Sequence, residues 1–94
     1  MTIGKFVIVI PVYNEEEIII KIIQEILEKF KKLNYEIIIL NDGSTDNTLN
    51  KLKIFEKLKN ISIINKTNEG HGKTLLKGYE IAVSKNVEFI LQID

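Results

Sequence analysis

The sequence predicts an α/β fold: a four-stranded, mostly parallel sheet with helices on both faces. Three observations lead there. Four short apolar runs, Lys5–Ile10, Tyr35–Leu40, Ile61–Asn65 and Val87–Ile93, read as buried strands. Segments with apolar residues at helical spacing separate them. The connections are short, with no repeat or linker, so the order is β-α-β-α-β-α-β.

The first strand is KFVIVI, and Pro11 is expected to end it. Asn14 is expected to cap the first helix, with Glu15, Glu16 and Glu17 in a first turn where acidic residues suit the helix dipole. Ile19, Ile22, Ile23, Ile26, Leu27 and Phe30 then mark its buried face. YEIIIL is the second strand, and Asn41-Asp42-Gly43-Ser44 a turn. Ser44 or Thr45 is expected to cap a second helix with Leu49, Leu52, Phe55 and Leu58 on one face. The third strand leads into a glycine loop, Asn68–Gly72. A third helix follows, carrying Leu75, Leu76, Tyr79, Ala82 and Val83, and the fourth strand leads to Asp94.

Composition narrows the function. The 94 residues make one domain. Thirteen Lys, no Arg, ten Glu and three Asp give a net charge of zero, with no electrostatic reason to seek nucleic acid or anionic lipid. The 45% apolar content excludes a disordered segment. Cysteine is absent, which excludes disulfides, thiol chemistry and Cys-based zinc sites, and a single His excludes a multi-His metal site. Charges interrupt every apolar run well before the ~20 residues of a bilayer span. The run Phe6–Val12 is followed by Tyr13-Asn14 and an acidic cluster, not a small-residue cleavage site, so a cytoplasmic location is expected.

In a parallel sheet all strand-to-helix loops share the carboxyl edge, where open α/β sheets bind ligands. Pro11–Glu15, Asn41–Asp46, Lys66–Lys73 and Asp94 therefore belong to one rim. Tyr13 offers a ring face and a hydroxyl to a nucleobase, and Glu15 an acceptor for base or ribose donors. The first segment is also readable as a strand stop, a partly buried Tyr and a cap. Ser44 and Asp46 are explained by a turn and the helix dipole. Asp42 is not: a carboxylate at the tip of a buried strand needs a partner, and the imide of uracil or the amide edge of guanine is one. Gly70 and Gly72 allow close backbone approach before a helix N-terminus, with Lys73 in reach of a diphosphate. His71 reads as part of a flexible turn. Asp94 suits Mg²⁺ or Mn²⁺, hard cations that prefer oxygen. A P-loop is the alternative for Gly72-Lys73-Thr74, but the glycine it needs five residues earlier is Thr67.

The series VIVIPVYNEEE, LNDGSTDNT, NEGHGKTLLKGYEIA and FILQID, in this order and spacing, resembles the start of family 2 glycosyltransferases of the GT-A type. It is similar to the polyprenyl-phosphate sugar transferases and covers essentially the whole chain. The resemblance implies a Rossmann-like, truncated GT-A fold and a nucleotide-sugar donor, UDP- or GDP-linked. It assigns Pro11, Tyr13 and Glu15 to the nucleotide pocket, Asp42 to the base, Gly70, Gly72 and Lys73 to the diphosphate loop, and Asp94 to the first position of an Asp-x-Asp metal motif. The family usually has Asp-Asp-Gly-Ser after the second strand, and Asn41 departs from it.

The resemblance also implies what lies elsewhere: the second metal-binding Asp, the acceptor half and the general base. Residues 1–94 are thus expected to be the N-terminal nucleotide-sugar-binding part of such a domain, inactive alone, with any membrane contact made by absent C-terminal parts. A non-catalytic module that self-associates through open sheet edges is the reading from another class.

Overall fold

The structure is a computed structural model and describes residues 4–94. Its elements are β1 (Phe6–Val12), α1 (Ile19–Lys29), β2 (Tyr35–Asp42), α2 (Thr48–Leu52, continuing into a 3-10 turn at Lys53–Phe55), β3 (Ile61–Lys66), α3 (His71–Val83) and β4 (Phe89–Gln92). All strand pairs are parallel, in the order β3-β2-β1-β4. The α/β class and the four-stranded parallel sheet are as expected.

Strand alternation divides the core between two faces. Phe6, Ile8, Ile10, Ile37 and Ile39 pack with Ile19, Ile23 and Ile26 of α1 and with Leu52 and Phe55. Val7, Val9, Ile38 and Leu40 face the other way, towards Ala82 of α3. Topology explains the division. Two crossovers step from β1 to β2 to β3, and the third steps back over the sheet to β4. Right-handed crossovers then place α3 opposite α1 and α2. The order reverses between β1 and β4, which is the switch point where such sheets bind ligands.

Several element boundaries differ from the sequence expectation, each for a local reason. β1 runs through Pro11 to Val12. Val9 turns its carbonyl to the β4 side, accepting from Ile93 N at 3.0 Å, and Pro11 turns the same way beyond the last β1–β4 pair, Val9↔Gln92. Its missing N–H therefore breaks no ladder bond. α1 starts at Ile19, not at an Asn14 cap, and its first turn holds no acidic residue. Asn14 sits in the left-handed region at φ 51°, and a turn closed by Ile18 N on the Glu15 carbonyl at 3.1 Å precedes the helix. α2 is shorter than expected, neither Ser44 nor Thr45 caps it, and Leu58 is exposed.

α3 departs most. Leu76 and Val83, expected inside, are exposed, and the buried line is Thr74, Gly78 and Ala82. A Cβ at Gly78 would lie 2.5 Å from Val9 Cγ1 and 3.0 Å from Leu40 Cδ1. Small residues let the helix backbone rest directly on the sheet. Among the described residues no helix is long and apolar enough to cross a membrane.

Candidate functional site

A cavity of about 470 Å³ opens at the carboxyl edge beside the switch point, a size usual for small-ligand sites. Six residues singled out in the sequence line it: Pro11, Tyr13, Glu15, Asp42, Gly70 and Asp94. Gly72 and Lys73 do not; both are exposed on the first turn of α3. His71, set aside as a turn residue, is in the wall instead, with Asn68 and Thr74.

Asp42 ends β2 and is 4% exposed. Its partners come from the chain itself. Oδ1 accepts from Lys66 Nζ at 2.8 Å and Glu69 N at 2.8 Å. Oδ2 accepts from Gly70 N at 3.0 Å and, at 3.4 Å, from Asn68 Nδ2. Burial alone would raise this carboxyl, but the Lys66 and backbone hydrogen bonds outweigh it and take it from 3.8 down to about 2.

Lys66, placed on the rim by the sequence but given no role there, has its side chain 7% exposed. Besides Asp42, its ammonium reaches Glu69 Oε1 at 2.8 Å, the Thr67 carbonyl at 3.0 Å and Thr74 Oγ1 at 3.2 Å. Burial would lower its pKa, yet the bonds to Asp42 and Glu69 raise it above 10.5. A lysine closing a strand reads as solvated. Only the Asp42↔Lys66 register of the parallel pair reveals the contact.

The loops after β1 and β2 are stitched together. Asn14 Oδ1 accepts from Thr45 N at 2.7 Å, and Asn14 N donates to Ser44 Oγ at 3.0 Å. Glu15 N donates to the Thr48 hydroxyl at 3.0 Å. Asp46 accepts from Thr48 N at 3.0 Å, which serves the start of α2. These bonds hold Tyr13 and Glu15 at the cavity, while Tyr13 stays 48% exposed, its ring available to a ligand. Asn41 is buried, donating through Nδ2 to Asn65 Oδ1 at 3.1 Å and accepting from Ser44 Oγ. An amide makes both bonds and a carboxylate cannot donate, so Asn41 is matched to Asn65.

Asp94 Oδ1 lies 3.7 Å from His71 Nε2, and Gln92 Nε2 donates to both carboxylate oxygens at 2.9 and 3.1 Å. Tyr79 OH in turn donates to Gln92 Oε1. Among the described residues no group of three or more His, Cys, Asp or Glu is placed to hold a metal ion. The Asp94 carboxylate, 57% exposed at the cavity, fits a hard cation as a single oxygen donor.

The fold and the cavity define an α/β protein with an open cavity at the switch point of a parallel sheet. The profile of Glycosyl transferase family 2 matches residues 7–94, and the chain belongs to this family. It is 34% identical over 90 residues to an uncharacterised protein of Methanocaldococcus jannaschii, covering 92% of this chain and 38% of the relative. It is 34% identical over 85 residues to the undecaprenyl-phosphate 4-deoxy-4-formamido-L-arabinose transferase of Proteus mirabilis, covering 85% of this chain and 26% of that enzyme. The chain thus spans well under half the length of these relatives. Among solved structures, a mannosyltransferase from Pyrobaculum calidifontis in complex with GDP-Man and Mn²⁺ superposes with a TM-score of 0.74 at 19% identity, covering 87% of this chain and 25% of that one. That likeness shows the GT-A fold. With the family established, Gly72-Lys73-Thr74 needs no P-loop explanation.

Proposed function

We propose that this chain is the donor-binding half of an inverting glycosyltransferase that uses a UDP- or GDP-sugar, and that it is inactive alone. The observation that carries the reading is the convergence of Tyr13, Asp42, Gly70 and Asp94, from four separate strand ends, on one cavity at the switch point. The family assignment and the GDP-Man complex of the Pyrobaculum neighbour support the ligand class.

In this reading Tyr13 packs against the base and Pro11 stiffens the wall beside it. Asp42 receives a base N–H on Oδ2, whose bond from Asn68 is long at 3.4 Å and readily replaced. Glu15 accepts from ribose or base. Gly70 gives the diphosphate close backbone approach, and Gly72 and Lys73 act from the first turn of α3, Lys73 as positive charge outside the wall. Asp94 contributes one ligand to a Mg²⁺ or Mn²⁺ site completed by the diphosphate and by groups from elsewhere. When bound, such an ion supplies charge neutralisation at the leaving diphosphate. No residue here is assigned to take the proton of the acceptor hydroxyl, which is why we expect no turnover. We place the domain in the cytoplasm. The outer edges of β3 and β4 are unpaired among the described residues, and Phe89 is exposed beside one of them, so self-association is expected there.

Calorimetric titration with UDP and GDP, with and without Mn²⁺, tests this. Binding that Asp42→Asn weakens strongly but leaves measurable is expected. No binding at millimolar nucleotide leaves only the bare module, and preference for ATP over both overturns the UDP- or GDP-sugar reading. Transfer from a nucleotide-sugar to an acceptor well above blank overturns the claim of inactivity.

A further inference from the structure

Asp42 faces the cavity, but the group that determines how it does so lies behind it. Lys66 is not in the cavity wall. Its ammonium is enclosed by Asp42 Oδ1 at 2.8 Å, Glu69 Oε1 at 2.8 Å, the Thr67 carbonyl at 3.0 Å and Thr74 Oγ1 at 3.2 Å. These partners belong to β2, to the β3–α3 loop and to α3, so one side chain ties together three parts of the pocket. The two carboxylate oxygens of Asp42 are consequently unequal. Oδ1 holds two bonds of 2.8 Å and is filled, whereas Oδ2 holds one of 3.0 Å and one of 3.4 Å.

We propose that Lys66 is a positioning residue for nucleobase recognition: it occupies Oδ1 of Asp42, fixes the plane of the carboxylate and leaves Oδ2 as the oxygen that receives the base. This rests on the donor-site reading above. A lysine suits the role because its ammonium carries three donors, so it can hold Oδ1 of Asp42 and the Glu69 carboxylate at once while making no bond to Oδ2. The same contacts tie the Asn68–Gly70 backbone to the tip of β2, so the carboxylate and the loop beside it move as one body. Glu69 balances the second half of the ammonium from the solvent side, its own side chain 46% exposed.

A double-mutant cycle read by calorimetry with GDP and UDP tests the proposal. Lys66→Met keeps the length of the stem and removes the charge. It is expected to weaken nucleotide binding roughly tenfold. If Lys66 works through Asp42, adding Lys66→Met to Asp42→Asn costs nothing further, because there is no carboxylate left to orient. A merely structural role multiplies the two losses, and that result overturns the proposal. So does Lys66→Met binding nucleotide as the unaltered chain does. Should Lys66→Met alone fail to fold, Asp42→Asn compared with the double variant still decides, since neither buries an unpaired carboxylate. Absence of nucleotide binding by the unaltered chain overturns the donor-site reading, and this proposal with it. Binding by the unaltered chain that Lys66→Met leaves untouched overturns this proposal alone.

Discussion

The two ends of the sheet are finished with opposite materials. At the amino end the strands close with rings. Phe6 stacks on Phe89 at 4.7 Å between centroids, lies 5.8 Å from Tyr35, and meets Phe30 edge-on at 5.8 Å. A small ionic cluster, Lys5–Glu36 at 3.0 Å and Lys85–Glu36 at 3.6 Å, borders it. At the carboxyl end β2 closes with Asn41 and Asp42, both buried and both hydrogen-bonded. Apolar burial stabilises one end outright. The polar end is stable only while each partner is present, because a buried group left alone costs more than its bond contributes. The cavity therefore lies at the end whose stability is conditional.

The contrast is sharpest for large substitutions. Phe6→Ala removes the ring that three others touch and is expected to cost about 4 kcal/mol in urea unfolding. A loss below about 2 kcal/mol would mean the amino end is less decisive than its packing indicates. The carboxyl end responds to acid instead. The Asp42 carboxyl is depressed from 3.8 to about 2, so its contribution is complete above pH 4 and is lost as the pH falls through 2. That is about 2 kcal/mol, absent from the acid branch of Asp42→Asn. Asn14→Ala should come next, at about 1.5 kcal/mol. It loses the bond to Thr45 N and leaves alanine in a left-handed backbone. Weaker nucleotide binding should accompany that loss, since Asn14 holds Tyr13 and Glu15 in place. Glu36→Gln is expected to have the smallest effect, under about 1 kcal/mol and diminished by salt, because the pair is partly solvated. A larger effect would give the amino end a polar dependence of its own.

The architecture was legible because periodicity reports burial directly. Continuous apolar strands and helical spacing need only local sequence to be read. What stayed hidden depends on pairing across the fold. Asn14 looks like a helix cap, but its side chain is spent on the neighbouring loop, and α1 therefore begins later. Lys66 looks solvated until register sets it beside Asp42. The buried side of α3 was misjudged because Gly78 brings the helix so close that small residues, not Leu76 or Val83, meet the sheet. The rim was identifiable from topology alone, since every loop that follows a parallel strand lies there. Which loop residues enter the cavity was not, and His71 in place of Lys73 is the case in point.

β1 lies between β2 and β4, so Phe6 pairs with Phe89 across nearly the whole length of the chain. Contacts so distant in sequence carry a larger loop-closure cost than the local crossovers do. Until β4 docks, Asp94 and His71 have no fixed relation to each other, and the cavity lacks one of its walls. The complete cavity therefore requires the complete sheet.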